Sequence, residues 1–347
     1  MKKNIIGIVL VLVSVLGVVL FIWQEQDVPA PRRTYHIAIL ARGRGSYEVA
    51  IDSFKKTLTG LGYHEGEDVA YDIRYVSTKE ELDTAARDFV NNGVDLVNTY
   101  STPATQAMYQ ATQVANRPIP IVFGSMGDAL AAGVIKGIQN SGTNVTGVIS
   151  SATELTVKRL DLLKELKPDI RTVAFPHSAS ELHDVAADKS VAIAMRAAPD
   201  IGIKLVLFPV VSKEDNAIVA KKITRRIAEG MIVGGDSLIW SSLEAYAEQA
   251  RQEKILFAAF DADQVKRGAL VGFGPDYVVS GQQVASIAHL IFQGKRPEDI
   301  PIETPRKLLL AVNLDTARAI GFTIPPEFLK KADVIIDNLI ENHAIRN

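Results

Sequence analysis

The sequence predicts an α/β protein built as two doubly wound parallel-sheet lobes in series, preceded by one N-terminal transmembrane helix. Three observations predict it. From Tyr35 onward, short apolar runs alternate with longer stretches of helical period, which is the pattern of right-handed βαβ units. Ten such runs end by residue 272, more than a single sheet of this kind usually holds. Ahead of them, Ile5 to Trp23 carries no charge and follows Lys2 and Lys3.

The N-terminal segment comes first. Its 19 residues reach roughly 28 Å as a helix, close to one bilayer core. The lysines place its start in the cytoplasm, and Trp23 would anchor it at the far interface. Val28-Pro29-Ala30 offers a small-x-small cleavage site, but Pro31 hinders it, so a retained anchor is favoured over a cleaved signal. Residues 24–34 read as a polar linker.

Strands are expected at 35–41, 69–75, 94–99, 119–123 and 145–149, then at 171–175, 203–209, 230–234, 255–260 and 268–272. Helices are expected at 46–61, 79–92, 103–115, 153–166, 179–198, 213–229 and 241–252. In 153–166, Leu160, Leu163 and their neighbours lie at the spacing of a buried stripe. The Gly-, Ser- and Thr-rich stretch 141–149 separates the two series. A helix at 276–293, a strand at 307–312 and a short helix at 313–320 remain, so the chain must cross between lobes more than once.

Composition excludes several functions. The net charge of −2 is too low for a nucleic-acid partner, whose phosphates require a surplus of Lys and Arg. Without cysteine there is no disulfide, thiolate metal site, cysteine nucleophile or lipid-modified N-terminal cysteine. The six histidines are scattered without an i, i+4 pair, which argues against a histidine metal site. Residues 43–48 (GRGSYE) lack the third glycine of a dinucleotide fingerprint. Residues 235–238 (GDSL) match a string used by one family of serine esterases, but Asp337 and His343 have the wrong spacing and no histidine can be nominated as base for Ser237.

In open parallel sheets, ligands sit beyond the carboxyl ends of strands. There the first lobe offers Arg42, Ser46, Tyr47, Ser101, Thr102, Pro103, Ala104, Ser125 and Met126, while the second offers His177, Asp236, Ser237, Phe260 and Asp261. Hydroxyls, arginine and a helix start thus oppose carboxylates. Two facing lobes could hold a ligand with an anionic and a cationic end, its carboxylate on the Thr102 helix terminus and its ammonium on Asp236 or Asp261. Each residue also has an ordinary reading. Ser101 or Thr102 before Pro103 is a helix cap, Asp236 caps a following helix, His177 is a loop histidine and Arg42 is solvated.

Residues 53–75, 94–107 (VDLVNTYSTPATQA), 119–135, 141–148 (SGTNVTGV), 260–285, 294–325 and 329–336 resemble the ABC transporter substrate-binding proteins, in the branch with tryptophan- and tyrosine-type members. The resemblance implies a type I periplasmic-binding fold, whose two lobes are joined by a three-strand hinge and close on a ligand. It implies lobe 1 at 35–147 plus 275–308, lobe 2 at 148–274 plus 309–336, and a tail at 337–347. In the family, the counterpart of Thr102-Pro103 caps the helix that faces the ligand, and that of Asp236 faces it from the other lobe. Two departures stand out. Asp128-Ala129 replaces the usual Asp-Pro, and the loop running from Arg42 to Tyr47 replaces one that commonly carries His-Pro before a small-residue helix.

The implied function is a non-catalytic, monomeric solute receptor without metal or cofactor. It would be tethered to the cytoplasmic membrane facing the periplasm or cell exterior, bind a small zwitterionic or anionic solute, and dock on an ABC permease. A ligand-sensing module of the same fold is the alternative, with a GDSL-type esterase a more distant one.

Overall fold

The computed structural model describes residues 33–179 and 185–338. The expected membrane-spanning segment and most of the linker lie outside the described residues. Within them, no helix is long and apolar enough to cross a membrane.

The first sheet contains β1 (Tyr35–Arg42), β2 (Val69–Val76), β3 (Leu96–Tyr100), β4 (Ile121–Ser125) and β5 (Val145–Gly147), all parallel, in the order β2-β1-β3-β4-β5. Helices α1 (Ser46–Gly60), α2 (Lys79–Asn92) and α3 (Thr102–Val114) connect its strands. Their ends follow local chemistry. In α2 the Thr78 hydroxyl accepts from the Glu81 N–H while the Glu81 carboxylate accepts from the Thr78 N–H, and Gly93 closes the helix in the left-handed conformation.

In chain order there follow α4 (Thr156–Leu166), β6 (Thr172–Ser178), α5 (Val185–Ala197), β7 (Lys204–Val210), α6 (Asp215–Lys222), β8 (Gly230–Ile232), α7 (Ser237–Trp240), α8 (Leu243–Gln252), β9 (Leu256–Ala259), α9 (Ala262–Lys266) and β10 (Val271–Pro275). Last come α10 (Tyr277–Phe292), β11 (Leu308–Asn313), α11 (Leu314–Ile320), α12 (Pro326–Leu329) and β12 (Val334–Ile336). The second sheet runs β12-β11-β10-β9-β8-β6-β7. It is parallel except where β11 returns antiparallel to β10.

The helix expected over 213–229 stops at Lys222. Beyond it, the Arg225 N–H donates to Glu253 (2.9 Å) and its guanidinium to the carbonyls of Lys254 (2.9 Å) and Glu229 (3.3 Å). These tertiary bonds outweigh helix propensity. The helix expected at 241–252 is preceded by the separate turn α7, which Asp236 caps.

The chain passes between the sheets after β5, and again after β10, whose following helix α10 lies along α1. A Cβ built at Gly281 would stand 2.3 Å from the Ala50 carbonyl oxygen, so only glycine permits that approach. The strand that returns to the second sheet runs beside the first crossing. There the Glu303 N–H donates to the Gly147 carbonyl (2.9 Å) and the Ile149 N–H to the Glu303 carbonyl (3.0 Å). One cluster of buried apolar side chains runs from Ile37 and Phe54 through Tyr47 and Trp240 to Phe257, so the lobes share apolar contact.

Candidate functional site

At the carboxyl end of β3, Ser101 is an N-cap with φ 107° and ψ 153°. For a residue other than glycine this backbone costs about 1–3 kcal/mol, and such strain gathers at binding sites. Several bonds hold it. The Ser101 N–H donates to the Ser125 carbonyl (2.9 Å), and the Thr105 hydroxyl donates to the Ser101 carbonyl (3.0 Å). The Ser101 hydroxyl accepts from the Ala104 N–H (3.2 Å). Pro103 has no N–H, so among the first-turn donors of α3 the Thr102 amide is the one the described residues leave unengaged.

A narrow cavity of about 10 Å³ lies between the lobes. From the first sheet's side it is lined by Tyr47, Ser101, Thr102, Ser125, Met126 and Gly127, and from the second by Gly235, Ser237 and Trp240. The crossing segment adds Ser150 and Ala152. A larger groove, about 350 Å³, opens on the outer surface between α2 and α3. That groove is removed from the strand ends, whereas the inter-lobe cavity lies where parallel sheets bind ligands, so the smaller space is the candidate site.

The structure thus gathers Tyr47, Ser101, Thr102, Ser125, Met126 and Ser237 around one cavity. The other sequence-nominated residues stand behind it or hold it shut. Pro103 and Ala104 lie in the first turn of α3, and Phe260 stacks on Trp240 (centroids 4.8 Å, 11° between planes). The His177 ring lies beside the neighbouring Ser178 carbonyl, 3.2 Å from its Nδ1. Arg42, which sequence alone allowed to be solvated, is buried and donates to the Ser237 hydroxyl (3.2 Å) across the cleft.

Both aspartates are helix caps. Asp236 accepts from the N–H groups of Leu238 (3.1 Å), Ile239 (3.4 Å) and Ser178 (2.5 Å). Burial pushes its carboxyl pKa above the ordinary value, against those three donors and Arg42. Asp261 accepts from the Gln264 N–H (2.9 Å) and the Ser46 hydroxyl (2.8 Å), the latter reaching over from α1. Burial pushes its pKa up to about 6.

An ion pair between Asp128, after β4, and Lys189, on α5, also joins the two sides. Burial alone would raise the Asp128 pKa, but the Ala131 N–H and the Lys189 ammonium hold it below the ordinary value. Beside this pair, a Cβ at Gly127 would come within 2.4 Å of the Ala186 Cβ, a measure of how closely the lobes approach. Among the described residues, no group of His, Cys, Asp and Glu is placed to hold a metal ion.

Sequence reasoning did not nominate Gly127, Ser150, Ala152, Gly235 or Trp240. Gly127 and Gly235 lie within the strand-end loops already singled out. Trp240 follows Ser237 by one helical turn, a spacing that could have found it. Ser150 and Ala152 have no local signal, because the path of the crossing segment places them. Arg159 is a further surprise. It is completely buried on α4, and its Nη2 donates to the Ala152 carbonyl (2.7 Å) and the Thr156 hydroxyl (2.9 Å). Its Nε and Nη1 have no partner among the described residues, and burial lowers its pKa to about 9.

Residues 37–336 match the family model described as ABC transporter substrate binding protein. A tyrosine-binding protein of Clostridioides difficile (strain R20291) is 28% identical over 288 residues, covering 79% of this chain and 77% of that one. A conserved domain protein from Vibrio cholerae shares the fold with a TM-score of 0.80 at 24% identity, over 87% of this chain and 100% of that one. So does an ABC domain crystallised with L-Trp from Streptococcus pneumonia, with a TM-score of 0.78 at 22% identity over the same shares. With the two-lobe fold and inter-lobe cavity in place, and a family model spanning most of its length, this chain belongs to the ABC transporter substrate-binding proteins.

Proposed function

We propose that this chain is the extracytoplasmic receptor of an importer, tethered by its N-terminal apolar segment, and that it closes on a small amino-acid-like zwitterion. The carrying observation is the inter-lobe cavity, where the strained Ser101 cap and the Thr102 amide face Ser237 and Trp240 from the other lobe. An unengaged amide at a helix start, with the helix dipole behind it, favours a carboxylate. Asp236, beneath Ser237, supplies the negative charge toward which an ammonium turns. The tyrosine-binding relative and the L-Trp-bound neighbour support this ligand class.

Closure follows from the cross-lobe bonds. Arg42 to Ser237, Ser46 to Asp261 and Lys189 to Asp128 each join one lobe to the other, so they exist only when the lobes meet. A ligand touching both walls favours that state by its differential affinity, and the closed surface then presents itself to a permease. Lobe 1 is 35–147 with 275–308, and lobe 2 is 148–274 with 309–336, on this reading.

Thermal-shift measurement of the full chain against amino acids, sugars, nucleosides and small carboxylic acids tests it, since a bound ligand stabilises by mass action. Amino acids should raise the midpoint. If sugars or nucleosides do so and amino acids do not, the zwitterion reading fails.

A further inference from the structure

The three polar links between the lobes are not alike. Ser46 to Asp261 and Lys189 to Asp128 use none of the residues that line the cavity. Arg42 to Ser237 ends on one of them. Arg42 closes β1 at its carboxyl end, where parallel sheets receive ligands. Its side chain turns toward the second lobe and is buried. There the guanidinium donates to the Ser237 hydroxyl at 3.2 Å, the long end of the usual range. Its positive charge also acts on the Asp236 carboxylate and favours the charged form. Asp236 and Ser237 are the second-lobe groups toward which a ligand's ammonium turns, so a cation from the first lobe already sits beside them.

Little space remains. About 10 Å³ is roughly the room of one water molecule, so no amino acid enters until a side chain withdraws. The rings are fixed. The Trp240 indole N–H donates to the Gly234 carbonyl (2.9 Å), and its ring lies flat on Phe260. Tyr47 is packed among Tyr100, Trp240 and Tyr277, with centroids 5.6, 6.2 and 6.3 Å from its own. Arg42 is not boxed in by rings. Among the described residues its guanidinium makes one direct hydrogen bond, and its long side chain regains rotamer freedom when that bond breaks.

We propose that Arg42 is an internal competitor for the ligand: its guanidinium takes the place of the ligand's ammonium beside Asp236 and Ser237, and a ligand binds by displacing it. The inference rests on the zwitterion reading above and goes further, because it assigns an autoinhibitory contact to that site. The ligand-closed form keeps the links at Asp261 and Asp128, while Arg42 gives way between them. Part of the ligand's binding energy is then used to break the latch, so the apparent affinity is lower than the open cleft would show.

Two readouts on the full chain test it. Trp23→Phe leaves Trp240, on the cavity wall, as the sole tryptophan and serves as the parent. Without added amino acid, acrylamide should quench Trp240 fluorescence at least twofold more strongly in Arg42→Gln and in Ser237→Ala than in the parent, because either change breaks the latch. Ser237→Ala leaves the Asp236 cap in place, so the two variants check each other against misfolding. Isothermal titration with leucine, aspartate and tyrosine should then show Arg42→Gln binding at least one of them about tenfold more tightly than the parent, the size expected for a lost hydrogen bond from a charged donor. Unchanged quenching in both variants overturns the latch. Affinity that stays the same or falls in Arg42→Gln overturns the competition, and a fall makes Arg42 a ligand contact instead. If none of the three binds either protein, the amino-acid reading falls and the competition with it, while the quenching still decides whether Arg42 holds the cleft shut.

Discussion

Replacing Asp236 separates its service to the fold from its service to a ligand. Its carboxylate caps α7 through Leu238 and Ile239 and fixes β6 through the Ser178 N–H. Asp236→Ala loses a helix cap, which costs about 1 kcal/mol. It also orphans the buried Ser178 N–H, which costs about 1–3 kcal/mol. Against this, burial disfavours the charged carboxylate, and removing the charge returns part of the loss. The net expectation is a destabilisation of about 2 kcal/mol, read as a lower urea midpoint at neutral pH. Asp236→Asn keeps one acceptor and should lose about half as much. Asp236→Ala within about 0.5 kcal/mol of the unmodified protein would refute the assignment of these bonds as structural. The ligand role is read on Asp236→Asn, which keeps its fold. A tenfold or greater loss of amino-acid affinity is expected, and unchanged affinity removes Asp236 from the site.

The remaining predictions concern charges around the cleft. Asp261 has a folded pKa of about 6 against an unfolded value near 3.9, so the folded state holds its proton more tightly. Its contribution is full below about pH 4 and is lost as pH rises through about 6, up to about 3 kcal/mol. The stability difference between the unmodified protein and Asp261→Asn should therefore fall across that window, and a difference independent of pH would refute it. Arg159→Met removes a buried guanidinium with two unpartnered nitrogens and should leave the melting midpoint unchanged or raise it by about 1–2 kcal/mol equivalent. A drop of several degrees would show that its bonds to Ala152 and Thr156 outweigh the buried charge. Lys189→Met breaks the partly exposed pair with Asp128, which is worth about 0.5 kcal/mol. Ligand-free scattering should then give a larger radius of gyration, and an unchanged radius would dismiss the pair as a latch.

Much of the architecture was legible because strands buried on both faces read as apolar runs. β3 and β4 are buried at every position. The ends of α2 were legible because Thr78, Glu81 and Gly93 act within a few residues of one another. The antiparallel return of β11 was not, because strand direction depends on where the chain re-enters the sheet. Nor was the early end of α6, which Glu253 and Lys254 enforce from a distant turn. Arg159, one residue before Leu160 on α4, reads in sequence like any exposed arginine. It is buried because the crossing segment at Ala152 and the Phe260 ring close over it.

The sequence by itself determined the alternation of strands and helices, the strand ends at which a ligand could sit, and the hydroxyl-rich start of α3, since each depends on neighbours a few positions apart. Only the tertiary structure decided what those ends do together. It committed Asp236 and Asp261 to backbone caps, turned Arg42 inward onto Ser237, and set Tyr47 beside Trp240 of the other lobe. The physical reason is that a cavity's size and a buried charge's partners are set by groups far apart in the chain, which meet only when two lobes close.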